Sequence, residues 1–195
     1  MILDYPIMEA YTPETIKEIT HNVVKRSRRK VIQEYQENVD NSGGHLVTIT
    51  KVWDWALKDK DFGKLHMKSI FGLTDILIWE QANVGQPTNA KTLKLLNPDH
   101  VKDELVRRNL HWRDVYEEEK EHLYSWSASS IRNIYNAPKK TKPSWDLITY
   151  LTKFLIEFDN NILDLPKNPG VRWDIEEWRR TSNIPIKNSW EEAKD

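Results

Sequence analysis

Apolar residues recur at helical spacing along most of this 195-residue chain. Ile16, Ile19, Val23, Val24, Val31, Ile32 and Tyr35 follow a period near 3.6 and predict one long helix from about residue 13 to about residue 38. Thr12-Pro13-Glu14 suits its start, as an N-cap, a proline at the first helical position and an acid at the positive helix end. Asp40-Asn41-Ser42-Gly43-Gly44 breaks it and is the best linker candidate in the chain. His45 to Thr50 is alternating and β-branched, which fits a short strand or the start of a helix capped by Thr50. Further helices are expected over residues 52–60, 64–71, 74–82, 89–96, 99–109, 112–123, 127–136 and 145–158. In the last of these, Leu147, Ile148, Leu151, Phe154, Leu155 and Phe158 share one face. Residues 83–88 read as a loop, and residues 137–144 as a basic loop with two prolines.

These elements predict a mostly α protein, a multi-helix bundle with one or two helix-turn-helix-like units and a short β element near residues 45–50. Three parts are expected: a long basic helix over 1–42, a helical core over 45–160, and a Trp-rich tail over 161–195 packed on that core. An internal echo accompanies them. Residues 76–96 and 131–151 both read as helix, loop, Pro-Thr or Pro-Ser cap, and amphipathic helix, with Thr88 and Ser144 as the caps.

Composition narrows the function classes. The chain has no cysteine, so disulfides, thiol nucleophiles, cysteine zinc sites and iron–sulfur clusters are excluded, and a reducing, cytoplasmic setting fits. Its start, Met-Ile-Leu-Asp-Tyr-Pro, lacks the basic segment of a signal peptide, and no apolar run approaches membrane-spanning length. The six histidines show no paired metal-ligand spacing, and no phosphate loop or nucleophile elbow occurs. Acid pairs such as Asp99/Asp103 and Glu117/Glu121 sit on highly charged helices and read as solvated. No enzyme activity, catalytic residue, metal or cofactor is therefore expected. The nine tryptophans read first as packing residues, and second as anchors at an interface.

Formal net charge is −1, so any affinity for polyanions must be local. Residues 126–153 carry five bases and one acid. There Ser127, Ser129, Ser130, Arg132 and Asn133 offer the short and forked donors that read base edges, with Arg suited to guanine and Asn to adenine. Lys139, Lys140 and Lys142 follow as candidate phosphate contacts. Ile131 and Ile134 would face the core. A second basic cluster, Lys25, Arg26, Arg28, Arg29 and Lys30, reads either as a phosphate-tracking helix or as a solvated face balanced by Glu34 and Glu37. Residues 74–94, with Gln81, Asn83 and Gln86, are a weaker third candidate because Glu80 opposes phosphate.

Residues 98–158 resemble the lambda-repressor-like (Cro and Xre-type) helix-turn-helix family. The matching stretch is Ser127 to Asn136, the loop Ala137 to Lys142, Pro143-Ser144, and the helix from Trp145 to Leu155. The chain departs from that pattern in the acidic, bulky Val115–Glu119 and in the glycine-free Leu123 to Trp126. The resemblance implies a sequence-specific regulator of double-stranded DNA from a bacterial, phage or plasmid source, working as a homodimer on two half-sites. The alternative is a small interaction or inhibitor protein of a mobile element, docking a protein or ribonucleoprotein through Trp-rich and charged surfaces.

Overall fold

The computed structural model describes residues 6–39, 46–58, 61–119 and 126–160. The proposed linker at 40–44 and the whole tail at 161–195, with Trp173, Trp178 and Trp190, lie outside the described residues. Among the described residues the chain forms eight α-helices and one two-stranded sheet, in agreement with a mostly α bundle.

Thr12 and Pro13 start α1 (Pro13–Asn22) as their chemistry predicts. The Thr12 hydroxyl accepts from the Thr15 N–H at 3.2 Å. The helix does not run on to residue 38. It ends at Asn22, and the Ser27 hydroxyl caps a second helix, α2 (Arg28–Asn38), by accepting from the Lys30 N–H at 3.3 Å. A single helix of that span would be a rod of about 39 Å. Breaking it lets Ile16 and Ile19 on α1, and Val31 and Ile32 on α2, all reach one core. No strand forms near residue 50: α3 (Leu46–Leu57) is helical, with Val52, Trp53 and Ala56 buried together at helical spacing. Packing of that face overrides the β-branched run before it.

The two helices expected over residues 64–71 and 74–82 are one continuous central helix, α4 (Met67–Asn83), preceded by a short 3₁₀ turn (Phe62–Lys64). α4 packs against α1, α2, α3 and α8 and is apolar around most of its circumference, as a helix enclosed by neighbours must be. Its buried polar groups are all answered. Thr74 accepts the Tyr11 N–H at 2.9 Å, Gln81 accepts the Tyr11 hydroxyl at 3.0 Å, and Gln81 donates to the Pro87 carbonyl at 3.0 Å.

Residues 89–96, expected to be a helix, instead contain β2 (Leu93–Leu96). It pairs antiparallel with β1 (Ile7–Ala10), Ile7 opposite Leu96 and Ala10 opposite Leu93. The buried Thr152 hydroxyl accepts the Leu96 N–H at 2.9 Å and so fixes the strand to α8. The internal echo is therefore not a structural repeat, since its first unit ends in a strand and its second in a helix.

The C-terminal half holds α5 (Val101–Arg107), α6 (Trp112–Glu119), α7 (Ala128–Asn136) and α8 (Trp145–Asp159). Ser144 caps α8 as predicted, and Leu147, Ile148, Leu151, Phe154 and Leu155 are buried on its inner face. Arg108 ties the end of α5 to the end of α8: it donates to both Asp159 carboxylate oxygens at 2.6 and 2.7 Å and to Glu104 at 2.8 Å. One core runs from Ala10 to Leu155.

Candidate nucleic-acid interface

α7 carries most of the sequence-predicted site. Ile131 and Ile134 are buried against the bundle, which turns Ser129, Arg132 and Asn133 outward. Ser127 and Ser130 form a reciprocal capping box at its start, and Ser127 also meets Ser129 at 2.6 Å between hydroxyls. The three serines thus present a hydroxyl cluster at the positive end of the helix.

The basic loop is folded back rather than extended. The Thr141 hydroxyl donates to the carbonyls of Asn133 at 3.1 Å and Ala137 at 2.8 Å, and the Lys140 and Thr141 N–H groups both donate to Ala137 at 3.1 Å. Lys139 and Lys140 are therefore exposed at the C-terminal end of α7, about 13 Å along the axis from the serines. There they also complement the negative helix end. Lys142 continues past that end and shares a concave surface with Asn133. Lys139, Lys140, Lys142 and Arg132 form no ion pair among the described residues.

Beyond the loop the chain is bonded to the start of α4. Met67 N–H donates to the Pro143 carbonyl, and Trp145 N–H to the Leu65 carbonyl, both at 2.9 Å. His66 and Ser144 face each other in an isolated antiparallel bridge, and the His66 ring Nδ1 lies 3.1 Å from the Lys142 carbonyl. These bonds enclose a cleft of about 330 Å³ lined by Lys64, His66, Trp126, Ser130, Asn133 and Lys142. Three of the sequence-predicted residues, Ser130, Asn133 and Lys142, thus share one concave site. Lys64, His66 and Trp126 join it unforeseen. Sequence spacing carries no signal for Lys64 and His66, which arrive through a bridge to a residue far along the chain. Trp126 is braced by the buried Tyr150, their rings 5.1 Å apart. Lys64 shares its charge with Asp61, whose carboxylate lies at 2.8 Å and is held below its usual range by that contact.

The second basic cluster has a different fate. Arg26 donates from Nε to Glu80 Oε1 at 3.0 Å and from a terminal nitrogen to Oε2 at 2.5 Å, and it also bonds Glu34. Glu80, at 1% exposure, is fully enclosed. These partners, Glu80 foremost, hold Arg26 above the ordinary arginine range. Arg28 pairs with Asp54 of α3, and Lys30 lies 3.9 Å from Glu34. Lys25 donates to the His21 carbonyl at 3.2 Å, and Arg29 is exposed. Ser27 interrupts the helix, so the five bases do not lie on one helix, and acids of the fold already engage Arg26 and Arg28. Arg26 and Arg28 instead clamp α2 onto α4 and α3.

In the weaker third candidate, Gln81 and Glu80 are buried and already bonded, which leaves Asn83 and Gln86 as the exposed members of that set. Asp99 is engaged by Lys68 at 2.9 Å, and among the described residues no group of three or more metal-ligating side chains converges. Of the described tryptophans, Trp53, Trp112 and Trp145 are buried and Trp55, Trp79 and Trp126 pack against the core. Among the described residues, no helix is long and apolar enough to cross a membrane. Compared with known proteins, the chain matches no family model, no curated protein and no solved structure.

Proposed function

We propose that this chain is a non-enzymatic protein that binds double-stranded DNA through the outer face of α7 and the turn that follows it, and that it acts as a regulator. One observation carries the reading: an exposed helix face with Ser129, Arg132 and Asn133, followed by three exposed lysines on a turn pinned to the same helix by Thr141. Affinity for a duplex comes mainly from phosphate contacts, and these need cations that no carboxylate has already claimed. Among the described residues Lys139, Lys140 and Lys142 meet that condition, whereas Arg26 and Arg28 do not. Base discrimination falls to Arg132, with its forked donors, and to the Asn133 amide. A dimer would place two such helices on successive half-sites.

The alternative, docking of a protein or ribonucleoprotein through tryptophans, has less support because the described tryptophans are engaged in packing. Among the described residues the large exposed apolar side chains, Ile7, Val39, Val84 and Val106, are scattered over the fold.

The test is fluorescence anisotropy of labelled duplexes, taken from a selection on random sequence, over a salt series. Phosphate engagement predicts that the logarithm of affinity falls linearly with the logarithm of salt, and that the triple variant Lys139→Ala/Lys140→Ala/Lys142→Ala flattens the slope by up to about three. Arg132→Ala/Asn133→Ala should leave the slope in place while discrimination between selected and random duplexes shrinks by about tenfold or more. Absence of saturable duplex binding at low salt, or an unchanged slope in the folded triple variant, would refute the proposal.

A further inference from the structure

We propose that the cleft between α7 and the α4–α8 junction is a binding site for a single nucleotide unit: a flat base bearing a phosphate. The cleft of about 330 Å³ is at the small end of the range for ligand sites, and it is concave where the outer face of α7 is convex. Its walls divide by chemistry. Trp126, fixed by Tyr150, gives it an aromatic side, and Leu147 and Pro143 extend the apolar lining. Bases stack on such rings regardless of sequence. Asn133 and Ser130 add an amide and a hydroxyl that can both donate and accept, as the edge of a base requires. Lys142 brings a cation that pairs with no described carboxylate, with Lys64 and His66 beside it. Lys64 is the weaker anchor, because Asp61 already bonds it and Asp146 also lies near it. The start of α8, a helix of fifteen residues capped by Ser144, adds its positive end to the same wall. An uncharged apolar ligand would leave Lys142, Asn133 and Ser130 unanswered. A bare inorganic anion would leave the Trp126 side unfilled.

One wall is held in place by bonds between the starts of α4 and α8. The His66–Ser144 bridge and the paired bonds to Pro143 and Leu65 fix that wall between two helix starts, which reduces the ordering it loses on binding. The cleft shares Asn133 and Lys142 with the proposed duplex face, whereas Ser129, Arg132, Lys139 and Lys140 do not line it, so loss of duplex binding in Lys139→Ala/Lys140→Ala with the monophosphate still bound would separate the two.

Isothermal titration calorimetry of the full chain tests it with four probes: a nucleoside 5′-monophosphate, the matching nucleoside, inorganic phosphate, and a short single-stranded oligonucleotide. The monophosphate should bind saturably, and the nucleoside and inorganic phosphate should each bind at least tenfold more weakly. Trp126→Leu and Lys142→Ala should each weaken the monophosphate by about tenfold, whereas Lys153→Ala, which removes a charge from α8 outside the cleft, should change it less than twofold. If the oligonucleotide binds tenfold more tightly per molecule than the monophosphate, the natural source is a nucleic-acid strand; the reverse order identifies a free nucleotide. Both outcomes uphold the site. Far-UV circular dichroism confirms that each variant is folded, and Trp126→Phe, which keeps a stacking ring, should recover most of the affinity lost in Trp126→Leu. No saturable heat with either nucleotide probe, or affinity equal to wild type in folded Trp126→Leu and Lys142→Ala, overturns the inference.

Discussion

His111 should make the stability of this protein fall with acid earlier than its carboxylates alone would. The ring sits at the start of α6, 5.4 Å from Trp112 and 4.9 Å from Tyr135 between centroids. Its Nδ1 accepts the Arg113 N–H at 3.3 Å, which requires that nitrogen to be unprotonated. Burial first, and the positive charge of Arg113 second, push its pKa down from 6.5 to about 4. The folded chain therefore binds this proton less well than the unfolded chain does. The stabilising contribution is fully present above about pH 6.5, declines below it, and is exhausted near pH 4. A difference of about 2.5 pH units corresponds to about 3.4 kcal/mol at the acid limit, and to about 2 kcal/mol of loss between pH 7.5 and pH 5. His111→Asn keeps a capping acceptor at this position but cannot titrate. Urea unfolding, followed by far-UV circular dichroism at several pH values, compares the two proteins. Wild type should lose about 2 kcal/mol more than the variant between those two pH values, which for a slope of about 2–3 kcal/mol/M is roughly 0.7–1 M in midpoint. The other histidines and the carboxylates are common to both proteins and largely cancel in that difference. Parallel stability curves, within about 0.5 kcal/mol, would refute the reasoning, because they would mean the folded ring accepts a proton as readily as the unfolded one.

Two further outcomes concern the buried polar contacts that join the elements. Arg26→Ala strands the enclosed Glu80 carboxylate and should cost about 3–5 kcal/mol in denaturant unfolding, while Arg26→Met/Glu80→Gln should recover a large part of it; a single-variant cost under about 1 kcal/mol would show that the pair is not structural. Thr152→Val removes the acceptor for the Leu96 N–H at nearly constant volume and should cost about 1–3 kcal/mol, with hydrogen exchange accelerated first at Leu96; unchanged protection there would contradict the anchoring role given to Thr152.

The elements that the sequence discloses are those whose signals are local. Thr12-Pro13 and Ser144 announce helix starts, and the spacing from Leu147 to Leu155 announces the buried face of α8. The turn at residues 23–27 is hidden because the apolar period continues through Val23 and Val24 with no glycine or proline. Ser27 is the one local sign, and it is camouflaged within a run of bases. β2 is hidden for a different reason. Leu93-Lys94-Leu95-Leu96 has no strand propensity of its own, and it is extended because β1 and Thr152 supply partners for its backbone. Of the candidate site, the exposed face of α7 is legible from Ile131 and Ile134 alone. The cleft is not, since Lys64 and His66 reach it only through the bridge to Ser144.

The two basic runs show why charge counted along a sequence is a poor guide to charge available to a ligand. Lys25 to Lys30 is the denser run, yet its position between α1 and α2 puts Arg26 against Glu80 and Arg28 against Asp54, acids contributed by α4 and α3. The enclosed Arg26–Glu80 pair returns little free energy beyond offsetting desolvation, but removing either member is costly, so selection for folding alone can maintain it; the part-exposed Arg28–Asp54 pair adds less. Lys139 to Lys142 is sparser, and folding asks less of it. The turn is already held by Thr141 through backbone carbonyls, and Pro143 and Trp145 are already bonded to Met67 and Leu65. Beyond a small helix-end contribution from Lys139 and Lys140, the lysine side chains thus add little to their own loop's stability. Cations that the fold does not need, mounted on a segment that the fold holds still, can give their full charge to a phosphate without a conformational cost. It follows that substituting these three lysines should leave the unfolding midpoint nearly unchanged, whereas substituting Arg26 and Arg28 should lower it, and that contrast separates the binding cations of this chain from its structural ones.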